Sequence, residues 1–253
     1  MIPLLSADRV SKRFDGIAAL VDVSLHVDAG ELVALIGPNG AGKTTLFHCL
    51  SGLVRPDSGI VRLDGRDLGS LAPHARARLG IGRTFQRVEL FAGLTVRDHV
   101  LVAERARSRR GGVFRDLTGR SRPSPEERQR CDDVLELVGL STEADRPAAT
   151  LSLGRGRIVE LARALVREPR LLFLDEPSSG LDIAETAEMG TVLETVMRER
   201  GTAILLCEHD VAFVERLASR TCVLDVGRVI ADGPTSEVLA DSRVRSAYLG
   251  QGV

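Results

Sequence analysis

The sequence contains no tryptophan, one tyrosine and seven phenylalanines, so aromatic residues make up only 3% of it. That scarcity argues against a base-stacking platform for single-stranded nucleic acid. A charge excess is missing too. Lys and Arg number 34 against 35 Asp and Glu, a formal net charge of −1, so no basic field points to a nucleic-acid partner. Cysteine is sparse: Cys49, Cys131, Cys207 and Cys222 show no metal or redox spacing, and free, apolar-flanked thiols suit a reducing compartment. No run of roughly 18 apolar residues offers a membrane-spanning helix. The stretch Met1–Arg9 lacks the charged start and apolar run of a signal peptide. Any membrane role is expected to come through a partner.

What is present fits one large domain, or a core with a subdomain: 253 residues, 43% hydrophobic and 27% charged. Val21, Val23, Leu25 and Val27 alternate with Asp22, Ser24, His26 and Asp28, the pattern of a half-exposed, antiparallel strand. After Ala29-Gly30-Glu31, the apolar run Leu32 to Ile36 predicts a buried strand, then a glycine-rich loop. Leu46, Phe47, Leu50 and Leu53 then predict a helix over Thr45 to Leu53. A hairpin is expected over Gly59 to Leu68 around Asp64-Gly65, and Gly80 to Gln86 leads out of this core. From Val88 to about Thr150 the pattern is helical and less apolar. Within it, Arg105 to Pro125 is rich in Arg, Gly, Ser and Pro, including Arg107, Arg109, Arg110, Arg115, Arg120 and Arg122. It reads as a solvated excursion, or as a contact for an acidic partner surface or anionic headgroups.

After Leu151 strands and helices alternate. Ile158, Leu161, Ala162 and Leu165 mark a helix face, as do Met189, Val192, Leu193 and Val196. Leu171 to Leu174 and Ala203 to Leu206 are buried strands, and Val223-Leu224 and Val229-Ile230 flank Gly227 as a hairpin. The expected class is α/β with a largely parallel sheet.

The chemistry concentrates at strand ends. Gly37-Pro38-Asn39-Gly40-Ala41-Gly42-Lys43-Thr44-Thr45 matches the phosphate-cradling P-loop pattern between a strand and a helix. Glycines let backbone N–H groups converge on phosphate oxygens, and the helix adds its positive dipole end. Lys43 is expected to reach the β- and γ-phosphates, the Thr44 hydroxyl to ligate Mg²⁺, and Thr45 to bond a more proximal phosphate. Asp175 and Glu176 end a buried strand on the crevice side of the sheet. The first suits Mg²⁺ and the second suits deprotonation of the attacking water, though the start of a helix after Pro177 would also place acids there. His209 follows another buried strand and is a candidate γ-phosphate contact. Gln86, at the junction with the helical segment, is a candidate sensor of Mg²⁺ and the γ-phosphate. Phe14 is a candidate adenine stack or a core residue.

Together these residues resemble the nucleotide-binding subunit of an ATP-binding-cassette (ABC) transporter over essentially the whole chain. In that resemblance Gly37–Thr45 is Walker A, Gln86 the Q-loop, Leu171–Glu176 Walker B, Ser179-Gly180-Leu181-Asp182 the D-loop and His209 the H-loop. The signature falls at Leu151-Ser152-Leu153-Gly154-Arg155. The order excludes kinases and GTPases, which share only the P-loop. The implied fold is a P-loop NTPase (RecA-like) core, 1–86 and 151–225, with an antiparallel β subdomain, an inserted helical subdomain at about 87–150, and a C-terminal hairpin and tail at 226–253.

Gly80 to Gln86, Glu89 to Val96 and the tail are similar to the larger branched-chain amino-acid importer ATPase. The tail and Leu71–Gly82 also resemble the lipopolysaccharide-export ATPase. The resemblance implies ATP and Mg²⁺, membrane permease subunits, and a second ABC ATPase subunit, a different chain being expected over an identical one. It implies a peripheral place on the cytoplasmic face of the inner membrane, without nucleic acid. Ser152 and Gly154 would then touch the γ-phosphate held by the other ATPase subunit. An ATPase of a lipid exporter and a soluble assembly ATPase are the alternatives. Leu153 and Arg155 depart from the family's usual Leu-Ser-Gly-Gly-Gln, so the shared site using this signature is expected to be the weaker one.

Overall fold

The computed structural model describes residues 2–84, 89–91, 93–108 and 123–249. In chain order its first elements are β1 (Leu5–Phe14), β2 (Ile17–Val27), β3 (Leu32–Ile36), α1 (Lys43–Ser51), β4 (Ser58–Leu63), β5 (Arg66–Asp67), α2 (Pro73–Arg78) and β6 (Ile81–Arg83). Next come α3 (Val96–Ser108), α4 (Pro125–Leu137), α5 (Leu153–Leu165), β7 (Leu171–Asp175), α6 (Ile183–Arg200) and β8 (Ala203–Cys207). The last are α7 (Val211–Leu217), β9 (Arg220–Asp225), β10 (Arg228–Pro234), α8 (Thr235–Ala240) and α9 (Ser242–Leu249).

These elements form two compact units, Met1–Arg83 with Arg170–Glu176 and Gly201–Val253, and Thr84–Pro169 with Pro177–Arg200. The division differs from the boundaries expected from sequence. Residues 153–169 and 177–200 group with the helical segment because α5 and α6 pack on one another and on α3 and α4.

The first unit holds both sheets. One is antiparallel, in the order β2-β1-β4-β5, and the other runs β10-β9-β3-β8-β7-β6. From β9 to β6 every pairing in the second sheet is parallel, and β10 returns antiparallel. Strands β3, β7 and β8 are buried at every position. That is why their sequences are unbroken apolar runs rather than alternating ones. Helix α1 buries Leu46, Phe47 and Leu50. The Phe47 ring meets Phe173 of β7 at 5.3 Å between centroids, a contact worth ~0.5–1.5 kcal/mol beyond its burial. Gly52, at φ +83, ends the helix in the left-handed conformation. The expected helix therefore stops short of Leu53, which is 52% exposed.

The buried guanidinium of Arg76 on α2 closes the same end of α1. It donates to the carbonyls of Cys49 (3.0 Å), Leu50 (2.7 Å), Leu68 (2.8 Å) and Leu71 (3.0 Å). A cation there satisfies orphan carbonyls and complements the helix dipole. Two hairpins form at the expected places. Asp64-Gly65 joins β4 to β5, and Val226-Gly227 joins β9 to β10, all four residues at positive φ as two-residue hairpin loops demand.

In the second unit a reciprocal capping box between Ser124 and Glu127 starts α4. Glu104 of α3 is buried and pairs with Arg130 at 2.7 Å. Arg105, expected in a solvated basic excursion, is instead buried with its Nε 3.7 Å from Glu127. Burial of a guanidinium requires such a partner, and this corrects the start of that excursion. Arg109, Arg110, Arg115, Arg120 and Arg122 lie outside the described residues. Among the described residues no helix is long and apolar enough to cross a membrane.

Candidate functional site

Strand register assembles the site. Leu35 of β3 and Asp175 of β7 both align with Cys207 of β8, which lies between them. The chain leaves β3 into Gly37, β7 into Glu176 and β8 into Glu208-His209. Three neighbouring parallel strands therefore deliver the glycine loop, the acid pair and the histidine to one carboxyl edge of the sheet, where α/β proteins bind ligands.

The loop is braced from inside the protein. The N–H of Gly227, in the β9–β10 turn, donates to the Ala41 carbonyl at 2.9 Å, and the Gly227 carbonyl accepts from Val21 at 2.8 Å. A Cβ at Gly37 (φ +148) would lie 2.1 Å from the Leu224 carbonyl oxygen, and one at Gly42 (φ +103) 2.6 Å from that of Ala19. The crowding that demands glycine at these two positions thus comes from β9 and β2, behind the loop. Pro38 and Ala41 are buried, while Asn39, Gly40 and Thr44 are exposed and Thr45 is half-buried. The Lys43 ammonium is folded onto the loop's own carbonyls, donating to Gly37 (2.6 Å) and Pro38 (3.1 Å).

Asp175 is buried, with the Arg83 guanidinium of β6 3.5 Å from its Oδ2. Burial raises the Asp175 pKa above the usual carboxylate range, and the Arg83 charge opposes that rise. Arg83 also donates to the Ser51 hydroxyl at 3.1 Å. Its Nε is buried without a hydrogen-bond partner among the described residues. Glu176 has a left-handed backbone (φ +49), a conformation sparsely populated outside glycine and concentrated at functional sites. Its N–H donates to Cys207 at 2.8 Å.

His209 is exposed and held from behind. The fully buried Glu208 carboxylate accepts from the His209 N–H at 3.0 Å and lies 3.7 Å from its Nδ1. Asp210 caps α7 by accepting from the Phe213 N–H at 3.1 Å. Phe14, at the end of β1, is 45% exposed, with the Lys12 ammonium 5.4 Å from its ring centroid. Its core-packing alternative is thereby excluded. Gln86 lies outside the described residues.

The signature stretch belongs to the second unit. Ser152 is the N-cap of α5, accepting from the Arg155 N–H at 3.3 Å. Leu153 lies beside Gly180 of the D-loop, its Cδ2 3.2 Å from where a Gly180 Cβ would stand. Arg155 is fully engaged within its own unit. It pairs with Glu143 through two nitrogens, with Glu188 at 2.6 Å, and donates to the Gly139 carbonyl at 2.9 Å. Arg157 donates to the Ser179 carbonyl at 2.6 Å. The Gly154 N–H donates to the Glu185 carboxylate at 3.2 Å.

The sequence assigned no site role to Arg83, Glu208 or Glu185, and their contacts depend on the fold. Only Glu185 left a local signal, the spacing Asp182-x-x-Glu185 of a capping box.

Known proteins resemble this chain over nearly its whole length. The model of the ABC transporter family matches residues 20–179, and that of the branched-chain amino acid ATP-binding cassette transporter family matches residues 228–253. The chain is 37% identical to the high-affinity branched-chain amino acid transport ATP-binding protein BraF of Pseudomonas aeruginosa. It is 38% identical to LivG of Escherichia coli, which carries the same description. Each match covers 98% of both chains. The lipopolysaccharide export system ATP-binding protein LptB of Haemophilus influenzae is 35% identical, again over 98% of both chains. Among solved structures, the ADP conformation of MJ1267, an ATP-binding cassette of an ABC transporter, superposes with a TM-score of 0.88 at 28% identity. That match covers 99% of this chain and 100% of the other.

Proposed function

This chain belongs to the ABC transporter family, and we propose from that premise that it hydrolyses ATP at the carboxyl edge of its parallel sheet to drive an importer of branched-chain or related amino acids. The observation that carries the ATPase reading is the register of β3, β8 and β7, which brings Lys43, Asp175, Glu176 and His209 to one edge. The substrate class is supported by the family match at 228–253 and by the identity to BraF and LivG over nearly the whole chain.

The loop from Gly37 to Thr45 cradles the phosphates with its N–H groups and the start of α1. Lys43 exchanges the Gly37 and Pro38 carbonyls for β- and γ-phosphate oxygens. Thr44 and Asp175 are oxygen donors of the kind a hard divalent cation takes, one exposed and one buried, and they fit Mg²⁺, with Gln86 as a further contact. Held there, Mg²⁺ would offset the negative charge of the phosphates. Glu176 takes the proton of the attacking water, His209 contacts the γ-phosphate, and Phe14 stacks on adenine. Ser152 and Gly154 complete the nucleotide site of a second ABC ATPase subunit, a heterodimer with a related chain. Closure of that pair moves the permease subunits, and this chain works at the cytoplasmic face of the inner membrane, reaching the membrane through them alone.

Purification of the intact complex tests this. Two hydrophobic permeases and a second ATPase should accompany the chain, and leucine, isoleucine or valine with a solute-binding protein should stimulate ATP hydrolysis. Accompaniment by lipid-export subunits, or by no permease, would overturn the importer reading.

A further inference from the structure

A signature donor in this structure, the Gly154 N–H, is already occupied by an anion of the chain's own. The Glu185 carboxylate, one turn into α6, accepts from the Gly154 N–H at 3.2 Å through Oε1. The Ser152 hydroxyl favours the charged form of the same carboxylate. The fit is close. A Cβ at Gly154 would stand 2.8 Å from the Glu185 carboxyl carbon and 2.9 Å from its Cβ and Cγ. Ser152 and Gly154 open a helix of 13 residues, so the carboxylate lies where backbone dipole and free N–H groups favour negative charge. The Ser152 hydroxyl first, and then the Gly154 N–H, hold Glu185 below the usual carboxylate range.

The carboxylate also has an independent anchor. Asp182 and Glu185 form a reciprocal cap at the start of α6, with Glu185 N–H to Asp182 at 2.8 Å and Asp182 N–H to Glu185 Oε2 at 3.3 Å. Oε2 thus holds the side chain to α6 while Oε1 reaches the signature.

We propose that Glu185 is an internal stand-in for the γ-phosphate, and that its displacement makes closure of the shared site select ATP over ADP. The proposal rests on the reading that Ser152 and Gly154 serve the nucleotide of a second subunit. Two anions cannot share one pair of donors, since like charges in contact repel. A γ-phosphate brings more charge and more acceptor oxygens than a carboxylate, so it displaces Glu185 and gains charge-assisted hydrogen bonds. ADP has no phosphate to place there, and Glu185 then keeps the donors. The competent fraction of the signature enters the apparent affinity directly. If the carboxylate leaves ~10–30% of signatures open, removing its charge lowers the ATP concentration for half-closure by ~3–10-fold.

Glu185→Gln is the informative change, because a glutamine still accepts from the Asp182 N–H and preserves the cap of α6. The intact complex, carrying Glu176→Gln so that closure is trapped, would be titrated with ATP and with ADP. Closure would be read by crosslinking between the two ATPase subunits. Glu185→Gln should shift half-closure to lower ATP by about threefold or more and allow ADP to support closure. Glu185→Ala, which also removes the cap, should shift it in the same direction. A merely structural role predicts the opposite sign, since a loosened signature closes less readily. Half-closure unchanged or raised in Glu185→Gln overturns the proposal and leaves the shared site intact. Absence of ATP-dependent closure with Glu185 present overturns the shared-site reading and the proposal with it.

Discussion

Arg155→Gln restores the residue the family usually carries, and it should destabilise this chain. The guanidinium joins three places within the second unit: the Gly139 carbonyl beyond α4, Glu143 in the short 3₁₀ turn Ser141–Glu143, and Glu188 on α6. Side-chain exposure is 21% for Arg155, 14% for Glu143 and 42% for Glu188. The Glu188 pair is therefore largely screened, at ~0.3 kcal/mol, and the two-nitrogen pair to the more buried Glu143 belongs near the upper end for such pairs, ~1 kcal/mol. The charged hydrogen bond to Gly139, discounted for partial exposure, adds ~1 kcal/mol. Glutamine is too short and too neutral to replace any two of these at once, and it leaves two carboxylates facing each other.

The expected loss is ~2 kcal/mol, which for a chain of this size lowers the midpoint by ~4–8 °C. Thermal unfolding followed by circular dichroism would measure it. Turnover measured well below the transition should stay within about twofold, because the guanidinium is committed to carboxylates of its own unit. A midpoint within about 1 °C of the parent would refute the bracing role. A tenfold rise in turnover would show instead that position 155 acts on the nucleotide.

Glu176→Gln should retain ATP binding, lower turnover by ~10² or more, and leave the two ATPase subunits trapped together; single-turnover hydrolysis beside equilibrium binding measures both. Gly37→Ala places a methyl 2.1 Å from the Leu224 carbonyl and should abolish ATP binding at a stability cost of at least ~2 kcal/mol, read by calorimetry and denaturant titration. His99 is buried neutral, its Nδ1–H donating to Thr95 at 2.8 Å and its Nε2 accepting from the Phe91 N–H at 2.9 Å. Burial first holds its pKa below the ordinary value, outweighing the upward pull of the Thr95 hydrogen bond; the Arg163 charge adds a lesser downward push and Asp98 a still smaller upward one. The folded state thus refuses a proton that the unfolded chain takes up. The stabilisation is complete above pH ~6.5 and is lost as pH falls toward the depressed folded value. His99→Asn should flatten that dependence, and amide exchange over residues 93–100 at acid and neutral pH would reveal it.

The sheet edge was legible because its strands are doubly buried. A strand covered on both faces is a continuous apolar run, so Leu32–Ile36, Leu171–Leu174 and Ala203–Leu206 announced themselves. Each is followed at once by its functional group, and no long-range information was needed to place Gly37, Asp175 or His209 together. The helical unit was less legible. Arg105 sits in a run of arginines and glycines that reads as solvated surface, yet Glu127, 22 residues on, gives it a buried partner. Arg76 looks like an ordinary basic residue on a short helix. Only the fold shows four carbonyls converging on it, two of them from the end of the P-loop helix. Such partners arise from tertiary packing, which no local period or spacing encodes.

The same distinction resolves the unusual signature. Read as letters, Leu-Ser-Leu-Gly-Arg differs from the family's usual Leu-Ser-Gly-Gly-Gln in two of five positions, and the expectation of a weaker site rested on bulk at Leu153 and charge at Arg155. Read as chemistry, the groups able to meet a phosphate are the Ser152 hydroxyl and the Gly154 N–H, and both are retained. Leu153 instead lies beside Gly180, and Arg155 ties Glu143 to Glu188. With Arg157 on Ser179 and Gly154 on Glu185, the signature and the turn that follows it are fastened to the D-loop and to α6. A guanidinium committed to the carboxylates of its own unit is not free to serve an incoming nucleotide. At the signature of this cassette the structure therefore shows coupling to the D-loop and α6, and in the proposal above Glu185 is the element of that coupling that a γ-phosphate displaces.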